Sequence, residues 1–189
     1  MYEVIWHGRG GQGVVIAAQI LAESAYLQGF KGVTSAPTFG PERRGAPLTA
    51  STKVSETPIR TFAQIEFADI AVVLDASLLK VIDIHSSLRP GGLVILNTPL
   101  KVEETGIADG HPVAVVDGAA IAFKHHLIKE GAPMVNTPLL GAFARAVDWV
   151  DLDFIEKGLK AKLSSSILAN NLSALRDAYE STRGSGLGH

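Results

Sequence analysis

Short, mostly apolar runs and amphipathic stretches alternate along nearly the whole of this sequence. The apolar runs are rich in β-branched residues and end at glycine, proline, asparagine or aspartate, a pattern typical of strands buried on both faces. Residues 48–54 alternate instead and are rich in Thr and Ser. They indicate a half-exposed strand, with residues 58–62 as its candidate antiparallel hairpin partner. We predict the buried strands at residues 2–7, 32–36, 69–74, 93–96 and 112–116.

Helical spacing of apolar residues marks the intervals between most of these strands. The first helix begins at Val14 and ends before Gly29, a residue suited to the left-handed turn after a helix. Asp117 is placed to cap another helix with its carboxylate, and Thr137 with Pro138 has the composition of a first turn. We predict helices at residues 14–28, 77–88 (closed by Pro-Gly-Gly at 90–92), 117–129, 137–147 and 166–182, and one that begins at Asp151.

The order of these elements predicts the fold class. Strands that are apolar on both sides and alternate with helices indicate an α/β fold with a mainly parallel sheet and helices on both faces. A strand, a glycine loop, a helix and a second strand open the chain, so the fold is expected to be Rossmann-like, with a possible antiparallel hairpin. No linker or repeat divides the sequence. We expect a single domain at residues 1–183 and a disordered tail at 184–189.

Charge and cysteine content exclude several classes of function. The 17 Lys and Arg residues and 19 Asp and Glu residues leave a net charge of −2, which is no basic excess for a nucleic-acid backbone. Cysteine is absent, so neither disulfides nor thiolate-bound iron–sulfur clusters are expected on this chain. No apolar stretch approaches the roughly 20 residues that span a bilayer. We expect a cytoplasmic protein that binds neither nucleic acid nor membrane and holds no metal.

The most distinctive motif is a glycine loop formed by Gly8, Gly10, Gly11, Gln12 and Gly13 in the string HGRGGQG. It follows a predicted strand and precedes a predicted helix, the context in which G-x-G-x-x-G has meaning. Glycines let a ligand approach bare backbone, and the free amides at the helix start favour an anion such as a phosphate. A tight turn that only packs the helix against the strand is the alternative.

Two familiar nucleotide sites are disfavoured by the residues around this loop. A classical NAD site needs a carboxylate at the end of the second strand for the ribose hydroxyls. Here no carboxylate follows the predicted strand 32–36 before Glu42. The Gly-Lys-Ser/Thr ending of a phosphate-binding P-loop is also missing, so nucleotide hydrolysis has no support.

Arg43 and Arg44 lie in a second unusual segment, FGPERRGAP at residues 39–47. The prolines and glycines at this density exclude regular structure. Two arginines offer planar forks for carboxylates or phosphates, although a solvated loop paired with surface acids is the simpler interpretation from composition.

Four polar residues near predicted strand and helix ends are weaker candidates. His7 is expected to be an ordinary hydrogen-bonded histidine beside the loop. Asp75 and Asn97 follow strands at the edge where open α/β sheets bind ligands. Helix capping and turn formation are the alternative, and we expect that alternative for Asp75. Asn136 is expected to cap a helix. No G-x-S-x-G elbow is present, and no residue is predicted to be catalytic.

Taken together, the strings HGRGGQG (7–13), ERRGAP (42–47), VVLD (72–75) and NT…LGA (136–142) resemble the gamma subunit of pyruvate and related 2-oxoacid:ferredoxin oxidoreductases. The similarity runs in order to about Tyr179. The resemblance implies the reaction of a 2-oxoacid, CoA and oxidised ferredoxin to an acyl-CoA, carbon dioxide and reduced ferredoxin. The E-R-R-G-A-P form looks like the pyruvate or branched-chain branch.

The resemblance also implies how the work is divided among chains. Thiamine diphosphate belongs to alpha and beta subunits, and iron–sulfur clusters to the beta and delta subunits. The gamma chain is implicated in CoA handling and is inactive alone. Carried over by residue, Gly8, Gly10, Gly11, Gln12 and Gly13 form the matching loop, and Arg43 and Arg44 match the arginine segment, as sites for CoA or for docking a partner. The alternatives are a 2-oxoisovalerate, aryl-2-oxoacid or 2-oxoglutarate branch of the same family, or a stand-alone nucleotide-binding regulatory module.

Overall fold

The computed structural model describes residues 1–37, 45–60, 63–107 and 110–184. Its strands are β1 (Tyr2–Arg9), β2 (Gly32–Pro37), β3 (Pro47–Ser55), β4 (Ala68–Val73), β5 (Leu88–Asn97), β6 (Val113–Val116), β7 (Ile128–Lys129), β8 (Ala132–Pro133) and β9 (Arg183–Gly184). Seven of them form one sheet in the order β2-β3-β1-β4-β5-β6-β9, and β7 pairs with β8 alone.

The α-helices of the described ranges are α1 (Val14–Gln28), α2 (Gly118–Lys124), α3 (Asn136–Ala146), α4 (Leu152–Lys162) and α5 (Ser165–Ser181). Three short 3₁₀ helices cover Ala76–Lys80, His85–Ser87 and Val102–Glu104. In these same ranges no helix combines the length and the apolarity that crossing a membrane would need.

Strand directions confirm the predicted α/β class. β1, β4, β5 and β6 pair side by side in parallel. β3 runs antiparallel between β1 and β2, so β1 and β2 point the same way although they do not touch. β9 closes the other edge in antiparallel fashion. The opening strand–loop–helix–strand unit is therefore a crossover into which the later strand β3 is inserted.

The antiparallel partner of β3 differs from the prediction. β3 pairs with β2 on one side, with Ala36 opposite Ser51, and with β1 on the other, with Trp6 opposite Ala50. Residues 58–60 form no strand, and residues 61–62 lie outside the described part of the chain. Residues 58–60 cannot pair with β3 because β1 and β2 already occupy both of its edges. In addition, Pro58 has no backbone N–H to donate to a neighbouring strand.

The predicted helix 77–88 is also wrong. Two 3₁₀ helices replace it, because local side-chain bonds compete with the α-helical ladder. The Ser86 hydroxyl donates to the Asp83 carbonyl at 3.0 Å, and the Ser87 hydroxyl donates to the Ile84 carbonyl at 2.8 Å. The Pro-Gly-Gly at 90–92 lies inside β5, where the pairing with β4 skips from Leu88 to Leu93.

The sheet separates two hydrophobic clusters, because neighbouring residues of each strand point to opposite faces. In β4, Ile70 and Val72 belong to one cluster and Ala71 and Val73 to the other. All five α-helices named above contribute to the first cluster. The second is covered by the 3₁₀ segments and their connections, so the predicted cover of helices on both faces is present but unequal.

Candidate functional site

The carboxyl ends of the parallel strands meet at one edge of the sheet and open onto a cleft of about 720 Å³. The glycine loop and the first turn of α1 form one wall. Leu74, Asp75 and Asn97, at the ends of β4 and β5, line its base, and the β7–β8 hairpin with Met134 and Val135 forms the opposite wall. This is the edge at which ligands of open α/β sheets bind.

Two glycines of the loop are required by close packing. A Cβ atom on Gly8 would lie 2.4 Å from Cγ2 of Val14. Gly13 precedes α1 in a left-handed conformation with φ of 79°, and a Cβ atom there would lie 2.8 Å from the Asn136 side chain. Gly8 therefore packs closely against Val14 at the start of α1. The cleft itself is lined by Gly10, Gly11, Gln12 and Gly13.

The beginning of α1 presents free backbone amides to this cleft. The first intrahelical bond runs from the amide of Ala17 to the carbonyl of Gly13 at 2.9 Å. The preceding amides of Val14, Val15 and Ile16 have no acceptor among the residues that the structure describes. No acidic side chain occupies the first turn. Free amides and the positive end of the helix dipole together favour an anionic group.

Arg9, which the sequence did not single out, makes three side-chain hydrogen bonds at the edge of the site. Its Nε donates to Oδ2 of Asp75 at 2.9 Å, its Nη1 to the Gly45 carbonyl at 3.0 Å and its Nη2 to the Ser77 hydroxyl at 2.8 Å. Burial acts to raise the pKa of Asp75, but hydrogen bonds from Ser77 and Arg9 outweigh it and hold that pKa below its usual range.

Gln12 braces the loop internally. Its Oε1 accepts a bond of 2.7 Å from the Arg9 amide, and its Nε2 donates to Oδ2 of Asp75 at 3.3 Å. The side chain predicted to contact a ligand is thus already engaged with the protein. Asp75 also accepts from the Ser77 amide at 3.0 Å, which confirms its predicted capping role.

The predicted arginine segment is described only from Gly45 onward, and Arg43 and Arg44 lie outside the described residues. The end of the segment returns to the glycine loop. The amide of Gly10 donates to the Ala46 carbonyl at 2.9 Å, and the amide of Gly45 donates to the Gly10 carbonyl at 3.1 Å. The two motifs found in the sequence therefore meet at one wall of the cleft.

Asn97 and Asn136 take structural positions. The side chain of Asn97 donates to the Leu74 carbonyl and accepts from the Gly118 amide, each at 2.9 Å, and so joins two strand ends to the start of α2. Asp117 caps α2 as predicted by accepting from the Ala120 amide. The prediction that Asn136 caps a helix is wrong, because Val135 is the N-cap of α3 and no side-chain cap bond is made there. Asn136 is the first residue of α3 and packs near Gly13.

His7 differs from its prediction as a hydrogen-bonded histidine. It is 8% exposed, and its Nε2 has no hydrogen-bond partner among the residues that the structure describes. Burial lowers the pKa of His7 from 6.5 to about 4, so the ring is neutral near pH 7. His7 is not among the residues that line the cleft.

A buried neutral histidine makes stability depend on pH. The unfolded state binds a proton near pH 6.5 and the folded state only near 4, so folding stability is complete above pH 6.5 and is lost as the pH falls towards 4. We expect the melting temperature to fall more steeply across this window in the native chain than in the variant His7→Gln, which cannot titrate. Thermal unfolding at several pH values measures this, and equal slopes for the two proteins would contradict it.

The hairpin wall was missed by the sequence analysis, which extended a helix to residue 129. α2 ends at Lys124, and Glu130 and Gly131 form the two-residue turn of a hairpin with φ of 50° and 81°. Gly131 was the feature of the sequence that could have predicted this turn, because glycine readily adopts positive φ. Lys129 lies on this wall, is exposed, and faces the same cleft as Arg9, whose charge is paired with Asp75.

A mostly parallel sheet with a glycine loop leading into a helix at its carboxyl edge places the protein among the Rossmann-like α/β proteins. Its sequence matches the pyruvate ferredoxin/flavodoxin oxidoreductase family over residues 3–181, and the chain belongs to that family. The predicted family is thereby confirmed.

Individual relatives agree with this membership. The pyruvate/ketoisovalerate oxidoreductases common subunit gamma of Thermococcus litoralis is 44% identical over 185 residues, 96% of this chain and 97% of that protein. The pyruvate synthase subunit PorC of Methanothermobacter marburgensis is 40% identical over 186 residues, 98% of this chain and 100% of that protein. The crystal structure of pyruvate oxidoreductase subunit PORC from Thermotoga maritima has a TM-score of 0.80 at 35% identity, covering 97% of this chain and 98% of that one.

These relatives are subunits of 2-oxoacid oxidoreductases and have nearly the same length as this chain. The predicted class of function, a subunit of an oxidoreductase complex, is confirmed. Partner subunits are therefore implied for the chain.

Proposed function

We propose that this chain is the gamma subunit of a thiamine-diphosphate-dependent 2-oxoacid:ferredoxin oxidoreductase, and that its cleft handles CoA. In the proposed assembly, alpha, beta and delta subunits hold the thiamine diphosphate and the iron–sulfur clusters, and the enzyme works in the cytoplasm. The whole converts a 2-oxoacid, CoA and oxidised ferredoxin into an acyl-CoA, carbon dioxide and reduced ferredoxin. The observation that carries the proposal is the cleft at the glycine loop, in a chain of this family.

The cleft has the two kinds of surface that CoA requires. Phosphate groups would be held by the amides of Val14, Val15 and Ile16, which have no other acceptor in the described chain, and by the helix dipole. The methylene and methyl groups between the amides of the pantetheine arm suit a wall that includes Leu48 and Met134. The volume of about 720 Å³ is within the range of sites for small organic ligands.

The chemistry of bond breaking is proposed to lie on the partner subunits. Thiamine diphosphate supplies the carbanion chemistry when it is bound there. This chain has no cysteine, and its described residues contain no cluster of three or more His, Asp and Glu side chains that could hold a metal ion. Its own contribution is to bind CoA by its anionic end, to exclude water from the cleft and to present a surface for assembly.

Pyruvate is the proposed 2-oxoacid, and 2-oxoisovalerate is the second candidate. The Thermococcus litoralis relative is named as a gamma subunit common to pyruvate and ketoisovalerate oxidoreductases. One gamma chain that serves two enzymes fits a role in handling CoA, the substrate that both reactions share. A stand-alone nucleotide-binding module is disfavoured, because the chain spans nearly the whole of oxidoreductase subunits.

The substrate is tested by assaying the assembled complex with pyruvate, 2-oxoisovalerate, an aryl-2-oxoacid and 2-oxoglutarate. We expect CoA-dependent ferredoxin reduction with pyruvate, and with 2-oxoisovalerate when the chain is combined with a second set of alpha and beta subunits. Activity with 2-oxoglutarate alone would show that the branch is misassigned.

Lys129 is proposed to attract the CoA phosphates from the opposite wall. We expect Lys129→Gln to raise the KM for CoA about two- to fivefold, because an exposed charge contributes up to about 1 kcal/mol, while the KM for the 2-oxoacid is unchanged. The matched control is Lys162→Gln at the exposed end of α4, which removes the same charge away from the cleft. Equal KM values for both variants and the native complex would exclude a role for Lys129.

A further inference from the structure

We propose that Arg9 is a positioning residue that acts with Asp75 as a latch, holding the end of the arginine segment against the glycine loop, and that it does not itself bind the ligand's phosphates. This inference rests on the proposed function. It concerns the one arginine of the HGRGGQG string, whose position beside a phosphate-type loop would otherwise suggest direct binding.

The contacts of Arg9 join three separate parts of the chain. Its guanidinium donates to Asp75 and Ser77, which follow β4, and to the carbonyl of Gly45, two residues before β3. Two backbone bonds between Gly10 and the pair Gly45–Ala46 run beside this contact. Each of the three guanidinium nitrogens therefore donates one hydrogen bond to an acceptor of the protein.

The charge of Arg9 is also compensated within the protein. Oδ2 of Asp75 accepts from Arg9 at 2.9 Å, while Oδ1 accepts from the amide and the hydroxyl of Ser77 at 3.0 and 2.6 Å. The pair is partly shielded, with 31% of the Arg9 side chain and 22% of the Asp75 side chain exposed. The ion pair compensates most of the charge that the guanidinium could offer an anion, and three of its five N–H donors are already used within the protein.

The latch has a consequence for ligand binding because Gly45 follows Arg44 directly in the sequence. A fixed Gly45 determines where the chain of the arginine segment joins the cleft. Losing the latch is therefore expected to weaken binding of CoA through the loss of preorganisation, although no contact to CoA is removed.

The test compares Arg9→Gln, Asp75→Asn and the double variant in the assembled complex. A latch predicts that each single change raises the KM for CoA by about threefold or more, and that the double variant is no worse than the stronger single one. The kcat and the KM for the 2-oxoacid should stay within about twofold. Arg9→Lys should not restore the KM, since an ammonium keeps the charge but loses the fork.

The control is Asp177→Asn, which disrupts an ion pair with Lys124 away from the cleft and should leave the KM for CoA unchanged. Should a changed Arg9 prevent purification of the complex, Ser77→Ala serves instead, because it removes the hydroxyl's bonds to Arg9 and to Asp75 and keeps the Arg9–Asp75 ion pair. We expect it to raise the KM for CoA about twofold. An unchanged value for that variant would overturn the latch.

Asp75→Asn separates the two possible roles of Arg9. It releases the guanidinium from its counter-ion, so a direct phosphate ligand would bind CoA as well as before or better. That result, together with a raised KM for Arg9→Gln, overturns the latch. If neither change alters the KM but Lys129→Gln does, the latch is wrong and the proposed function stands. If none of these variants alters the KM for CoA, the latch and the proposed role of Lys129 are both wrong.

Discussion

Purified alone, the chain is expected to contain no iron and no thiamine diphosphate and to reduce no ferredoxin with any 2-oxoacid. The expectation follows from the absence of cysteine and from a cleft that offers amides and a paired arginine rather than reacting groups. Iron and thiamine analysis of the purified protein, with a ferredoxin reduction assay, measures it.

The companion measurement adds the partner subunits to the same preparation. CoA-dependent ferredoxin reduction should appear only when the chain is combined with alpha, beta and delta subunits, and a complex prepared without the chain should lose it. Nicotinamide reduction by the chain alone would contradict the account, because it would make the glycine loop a dinucleotide site in spite of the missing carboxylate.

Replacing both Arg43 and Arg44 by Ala is expected to raise the KM for CoA by at least about tenfold, or to weaken assembly, while the melting temperature of the chain stays nearly constant. Hydrogen bonds to charged groups contribute about 1.5–3 kcal/mol each, and one such bond accounts for a change of this size. The placement of Gly45 against Gly10 brings the end of this segment to the cleft. Steady-state kinetics, gel filtration of the complex and thermal unfolding give the three readouts.

The matched control for this double variant is Arg60→Ala with Arg183→Ala, two exposed arginines that line no part of the cleft. It changes the net charge by the same amount and should leave the KM for CoA unaltered. A collapse of the fold when Arg43 and Arg44 are replaced would show that they are structural. An equal effect of both double variants would show that net charge alone is responsible.

Local sequence patterns were sufficient to predict most of the site's scaffold. The apolar runs before Gly8 and Asp75 define β1 and β4, and parallel strands place their carboxyl ends at one edge. The glycine loop followed by a helical pattern located the wall of the cleft. Asp117 capped α2 as expected, because a side chain that accepts from nearby amides needs no distant information.

What the sequence could not show depends on contacts between distant residues. β3 is inserted between β1 and β2, although its local sequence predicted an antiparallel hairpin with residues 58–62. Arg9 and Asp75 are 66 positions apart, and nothing in either local sequence reveals their ion pair. The β7–β8 hairpin has strands of two residues each, too short to interrupt a helical pattern in the sequence.

Hydrogen–deuterium exchange on the assembled complex, with and without saturating CoA, tests the central claim most directly. The amides of Val14, Val15 and Ile16 have no acceptor among the described residues, and a bound phosphate would supply one. We predict that CoA slows exchange in the segment from Gly8 to Ile16 and leaves α4 unaffected. Unchanged exchange in that segment, with protection confined to the partner subunits, would show that this chain does not hold the CoA.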